Sequence, residues 1–259
     1  MKRTLTLAFA SVFMTGVAFA GNSNVATQDQ DGTGLEATIQ QSGNSNYAGQ
    51  TQRGTDNVLS IEQSGNNNTA LQEQTDRSET GDHYSDRINT GEITQSGNNN
   101  YAEQYQSREN KQATIDQSGN NNWASQEQTG IASSAEILQS GNNNVADQTQ
   151  NMNAFSASID QSGSDNYASQ LQEGMRNEAS VDQSGNNNIA EQTQVGTTAF
   201  NDAQDRSSLD IYQSGNANFA EQFQNATASS AEITQSGNNN HAAQTQAGYN
   251  NTASITQGN

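Results

Sequence analysis

A glutamine followed by Ser-Gly or Gly-Asn recurs along the chain at Gln41, Gln63, Gln95, Gln117, Gln139, Gln161, Gln183, Gln213, Gln235 and Gln257. Successive positions are 22 residues apart, except for two intervals of 32 and 30. A fixed period of this length marks a repeat architecture, in which each unit buries its neighbour and none is stable alone. With small variations a full unit reads A-x-I-x-Q-S-G-x-x-N-x-A-x-Q-x-Q. Nine such units lie between a half-unit at Asn24–Gln30 and a complementary half-unit at Ala253–Gln257.

Within a unit the period is two. Ala113, Ile115 and Gln117 fall on one face of a first strand, and Asn122, Ala124, Gln126 and Gln128 on one face of a second. Gly119 and the Asn residues after it separate them, and these residue types accept the backbone of a sharp turn. A second turn near 129–134 leads into the next unit. This spacing predicts an all-β fold: a β-solenoid of stacked strand-turn-strand rungs, cross-β in character when assembled.

Stacking turns each position into a column. The opening glutamines form an amide ladder. The turn glycines are Gly43, Gly65, Gly97, Gly119, Gly141, Gly163, Gly185, Gly215 and Gly237. A second amide column holds Asn46, Asn68, Asn100, Asn122, Asn144, Asn166, Asn188, Asn218 and Asn240. An apolar strip runs through Ile39, Ile61, Ile93, Ile115, Ile137, Ile159, Val181, Ile211, Ile233 and Ile255. An amide carries both donors and an acceptor, so a column of identical amides satisfies itself along the stack. The composition requires such a device. Only 29% of residues are hydrophobic, whereas a globular domain draws about 45–50% from the apolar set with glycine included. Proline, which would interrupt stacked strands, is absent.

Two outward columns stand out. Tyr47, Thr69, Tyr101, Trp123, Val145, Tyr167, Ile189, Phe219 and His241 suit an exposed sheet by β-propensity alone, or form a lateral adhesive stripe. Glu62, Asp116, Asp160 and Asp182 read as solvated charge, or as like charges that oppose premature pairing.

Residues 1–20 read as a secretory signal peptide. Lys2 and Arg3 precede an interrupted apolar stretch, and Ala18-Phe19-Ala20 is a cleavage signal placing the cut between Ala20 and Gly21. Residues 21–34 are expected to hold the N-terminal half-repeat and a linker, and 35–259 the solenoid. Charged inserts are expected at about 75–90 and 195–208. Nothing approaches the length of a membrane span. Losing Lys2 and Arg3 leaves seven basic residues against 28 acidic ones and moves the net charge from -19 to -21. That balance opposes binding to nucleic acid backbones. With no Cys, stabilisation outside the cell is non-covalent.

No catalytic constellation is visible: the chain has two His, His83 and His241, and the Ser of Q-S-G recurs without a companion base. His83, between Asp82 and Asp86, is a weak metal signal, and no cofactor is implied. A calcium-binding β-roll needs nine-residue Asp repeats that are missing. The serious rival is a soluble, monomeric solenoid whose flat face binds ice or carbohydrate.

The pattern Q-x-G-x2-N-x-A-x3-Q, met at Gln117, Gly119, Asn122, Ala124 and Gln128 and repeated in every full unit, resembles the curlin repeat of bacterial curli fibres. The resemblance implies a secreted subunit of an extracellular functional amyloid. Its partners would be copies of itself, a nucleator subunit and curli-type outer-membrane secretion machinery, and its fibres would serve surface adhesion and biofilm matrix. The family's motif also places Ser six positions before the Gln, which here holds only at Ser133, Ser207 and Ser229. Both the bulk subunit and the minor nucleator remain compatible with the repeats.

Overall fold

The computed structural model describes residues 4–8, 16–75, 88–153, 155–196 and 206–259. The described strands make two sheets of eleven strands each, and the chain alternates between them. Gln112–Asn120 lies in one sheet and Trp123–Thr129 in the other, and Ser134–Asn142 returns to pair in parallel with Gln112–Asn120. The register sets Ala113 on Ala135, Ile115 on Ile137, Gln117 on Gln139 and Gly119 on Gly141. It also survives the two long intervals, since Gln63 pairs with Gln95 and Gln183 with Gln213. The protein is therefore a parallel β-solenoid with a rung of about 22 residues, the fold class that the periodicity predicts.

Parallel sheets are ordinarily buried on both sides and strongly apolar. Here one face of each sheet meets water, and the interior is only one side-chain layer deep. Ile115 from one sheet and Ala124 from the other are fully buried in a single continuous apolar cluster of Ile, Val and Ala. The small Ala opposite each branched side chain keeps the sheets close. We call the sheet containing Gln112–Asn120 the serine sheet, after its outward Ser column, and the other the aromatic sheet.

The two edges differ. At the edge following Q-S-G the chain turns through Gly119 (φ 110°) and Asn121 (φ 58°) in every rung alike. A Cβ on Gly119 would lie 1.9 Å from the carbonyl oxygen of Gly141, so both the φ value and the approach of the next rung require glycine. The opposite edge varies from rung to rung, and both long connections, between Thr75 and Thr90 and between Val195 and Ser207, leave from it.

Some boundaries differ from those expected. Val25–Thr33 is a strand paired with Tyr47–Thr55, and it contains most of the half-repeat Asn24–Gln30 and runs three residues past it. Thr75 and Thr90 are in strands, and Ser207 pairs with Asn177, which narrows both inserts; residues 76–87, with His83, and 197–205 lie outside the described residues. The leader region contributes two short strands, Thr4–Ala8 and Gly16–Ala20, paired with Val25–Thr33 and Glu36–Asn44 respectively.

One buried column has no uniform sequence signature. Six residues before the first nine opening Gln stand Leu35, Asn57, Asn89, Lys111, Ser133, Phe155, Asn177, Ser207 and Ser229, all buried, and Asn251 before Gln257 is half-buried. The Ser of the sequence motif is one member of this column.

Replacing Gly119 with Ala is expected to lower stability by ~2 kcal/mol or more, because strained φ adds to the clash with the next rung. Ser118→Ala, whose side chain faces outward, should stay close to wild type. Urea midpoints of the two variants check this, and equal midpoints would contradict the turn geometry.

Candidate functional site

The chemistry of this molecule lies in its amide columns and in the two ends where they stop. Gln117 occupies the interior of the serine sheet and is fully buried. Its Nε2 donates to Oε1 of Gln139 at 2.8 Å and to the carbonyl oxygen of Tyr101 in the aromatic sheet at 3.0 Å. Its own Oε1 accepts from Gln95 Nε2 at 2.8 Å. One N–H thus runs along the stack and the other ties the sheets together. The crosswise bond fixes the amide orientation, because a flip would set oxygen against oxygen.

Two further glutamine columns, on the aromatic sheet, behave in the same way. Gln126 Nε2 donates to Gln148 Oε1 at 3.1 Å and to Thr114 O at 2.9 Å. Gln128 Nε2 donates to Gln150 Oε1 at 2.9 Å and to Gln112 O at 3.1 Å. The alternation in the sequence puts both inward, yet only the opening Gln stands out, because Q-S-G is the more conspicuous string.

The buried Asn column does something different. Asn122 Nδ2 donates to Ser118 O at 3.2 Å and to Gly141 O at 3.0 Å, while its backbone N–H donates to Asn100 Oδ1 at 3.0 Å. It laces the turn to the rungs on either side. Side-chain amide bonds at this edge run along the more exposed column through Asn98, Asn120 and Asn142, at 2.9 and 3.0 Å, and along the buried column from Asn144 to Asn240, where each Nδ2 donates back to the preceding Oδ1.

All three glutamine ladders point one way, each Nε2 donating to the Oε1 that follows in the chain. The polarity leaves the first rung with acceptors. Oε1 of Gln28, Gln30 and Gln41 is buried without a hydrogen-bond partner. At the other end Gln246 and Gln257 donate crosswise to Ser230 O and His241 O, at 2.9 Å each. The N–H that elsewhere continues the ladder is directed past the last rung.

On the outer surface of the aromatic sheet Tyr101 and Trp123 stack with ring centroids 6.2 Å apart, and Phe219 and His241 stack at 4.8 Å. Partial desolvation against the sheet surface pushes the carboxyls of Asp116, Asp147, Asp160 and Asp210 above the usual carboxylate range. At Asp160 the charges of Asp182 and Glu136 add to the effect. At Asp210 a 2.7 Å hydrogen bond from Ser180 opposes it, while Glu178 and Glu232 reinforce it. Among the described residues no group of His, Cys, Asp or Glu could hold a metal ion, and no helix is long and apolar enough to cross a membrane.

Residues 32–65, 156–196 and 226–258 match the family model of the curlin associated repeat. Each stretch contains at least one Q-S-G turn of the amide edge. No curated protein matches the chain.

Gln117→Leu removes a ladder bond on each side, strands Gln139 Oε1 in the interior and takes the crosswise bond from Tyr101 O. The expected cost is about 2–4 kcal/mol, read as a lower urea midpoint, with Ser118→Ala as the outward control. A Leu variant no weaker than the control would reverse the assignment of faces.

The raised carboxyls also set a pH dependence. Their folded pKa lies above the unfolded value, so the folded state binds protons more readily, and stability rises as pH falls from neutral through the raised values. Urea midpoints at pH 7 and pH 4.5 check the sign. Asp160→Asn should recover part of the gain at pH 7 and flatten the response, and a protein less stable at pH 4.5 would contradict it.

Proposed function

The chain belongs to the curlin repeat family, and from that premise we propose that it is a secreted fibre subunit that polymerises head to tail at the cell surface. The observation that carries this reading is the polarity of the three glutamine ladders. Acceptors without donors stand at Gln28, Gln30 and Gln41, and the residues one repeat beyond the far end of each column are their counterparts. A second copy set on the last rung pairs Gln244 with Gln28, Gln246 with Gln30 and Gln257 with Gln41, in the 22-residue register used inside the chain. With the leader gone these oxygens face water at the open end, and each junction gives them donors at about 0.5–1.5 kcal/mol net per hydrogen bond. The contact repeats without closing, which is the geometry of a filament.

The leader fits the same scheme. Leu7 and Phe19 occupy the register positions of Gln28 and Gln41, and neither has an amide to donate. Cleavage between Ala20 and Gly21 removes this mismatched rung and opens the acceptor end. The uniform repeat supports a bulk subunit of an adhesive, matrix-forming fibre, working with a nucleator and outer-membrane secretion machinery of the curli type.

The test uses the mature chain, Gly21–Asn259, at neutral pH with and without preformed fibre fragments. Seeds should shorten the lag in thioflavin T fluorescence, and the product should diffract near ~4.7 and ~10 Å. A chain that stays monomeric, soluble and β-rich would make this a capped solenoid with a ligand still to be found. Deleting residues 253–259, which removes Ile255 and Gln257 from the donor end, should slow elongation on wild-type seeds, and unchanged growth would sink the polar junction.

A further inference from the structure

Charge is sorted by surface in this fold. The described bases are Arg53, Arg108, Lys111, Arg176 and Arg206, and all lie at the variable edge, Arg53 at the end of its strand. Apart from Arg53 at its margin, neither flat face carries a base among the described residues. The serine face carries Asp116, Asp160, Asp182, Asp210 and Glu232, among others. The edge is mixed, because Asp31, Asp56, Glu109 and Glu173 share it. Two stacks therefore repel face to face, while an edge with guanidinium groups meets a single-signed face without that penalty.

Arg176 and Arg206 form the one stacked pair among these bases. Each stands seven residues before an opening Gln, beside the paired residues Asn177 and Ser207, so the two occupy one column in adjacent rungs. They line an open groove of about 400 Å³ together with Ala132, Phe155, Asn177 and Glu178. Two cations one rung apart, ~4.8 Å by strand spacing, form a two-point mount for a pair of carboxylates at the same spacing. The chain provides such a pair: Asp160 and Asp182 are register partners in adjacent rungs, exposed on the serine face. Because both lattices share one rung height, side-by-side stacks with parallel axes stay in step along their whole length.

We propose that the variable edge docks on the serine face of a neighbouring stack of the same chain, with Arg176 and Arg206 seated on the column of Asp160 and Asp182. The contact bundles fibres laterally and is separate from the end-to-end junction. It rests on the fibre reading, and the experiment separates the two.

Fibres of wild type, R176Q/R206Q and D160N/D182N are grown from the same seeds. Elongation is followed by thioflavin T, and bundling by low-speed sedimentation and electron microscopy, between low salt and ~1 M NaCl, where screening reaches ~3 Å. The wild type should bundle at low salt and disperse as salt rises. Both double variants should elongate at the wild-type rate and remain single filaments. The charge-swapped pair R176E/R206E and D160R/D182R should stay single separately and bundle when mixed. Variants that bundle like wild type, or wild-type bundles indifferent to salt, overturn the proposal while leaving elongation intact. Single wild-type filaments that gather only on added polyglutamate would assign the edge to a foreign polyanion and likewise overturn it. Loss of elongation itself would indict the fibre reading instead.

Discussion

The whole fold depends on what a primary amide can do in a stack. It has two N–H donors and one carbonyl acceptor, and Gln117 spends one donor on the next rung, one on the opposite sheet and its acceptor on the rung before. An interior built this way tolerates polar side chains that would be ruinous singly, since every copy is completed by the next. The apolar contribution is narrow: one Ile or Val column and a mostly Ala column on the serine sheet face one Ala column on the aromatic sheet. The amides consequently carry much of the specificity of the core as well as its cohesion.

That economy explains which parts of the fold are legible in the sequence. A column reads clearly when every rung repeats the same letter, as with Gln117, Gly119 and Ile115. Ladder direction does not read at all, because an amide drawn as a letter has no orientation; the carbonyl of Tyr101 across the interior decides it. The column containing Leu35, Asn57, Lys111 and Phe155 escapes for another reason. Its members share burial but not residue type, since Asn and Ser alternate irregularly with Leu35, Lys111 and Phe155. The only clue was the alternation itself, which extends one step back from Ala113 to position 111.

The acidic balance takes a different meaning once placed on the fold. Read as a total, it speaks of solubility and of indifference to nucleic acids. Distributed, it gives each stack two repelling faces and sets the described bases at one edge. The carboxyls of Asp116, Asp147, Asp160 and Asp210, held above their usual range by partial desolvation, mark where the stack tolerates charge least comfortably.

The irregular buried column has a consequence for folding fidelity. A chain of interchangeable rungs risks counting wrongly: if every unit fits every other, a strand can skip a neighbour and still find its Gln, Gly and Asn partners. The glutamine ladders do not penalise such an error, because they read the same in every rung. The column at the variable edge does penalise it, since Phe155 between Ser133 and Asn177, or Leu35 beside Asn57, fits a different volume and polarity from its successor. Leu35, Lys111 and Phe155 thereby mark single rungs inside an interior whose glutamine and glycine columns are blank copies, and they hold the stack to its order at those points.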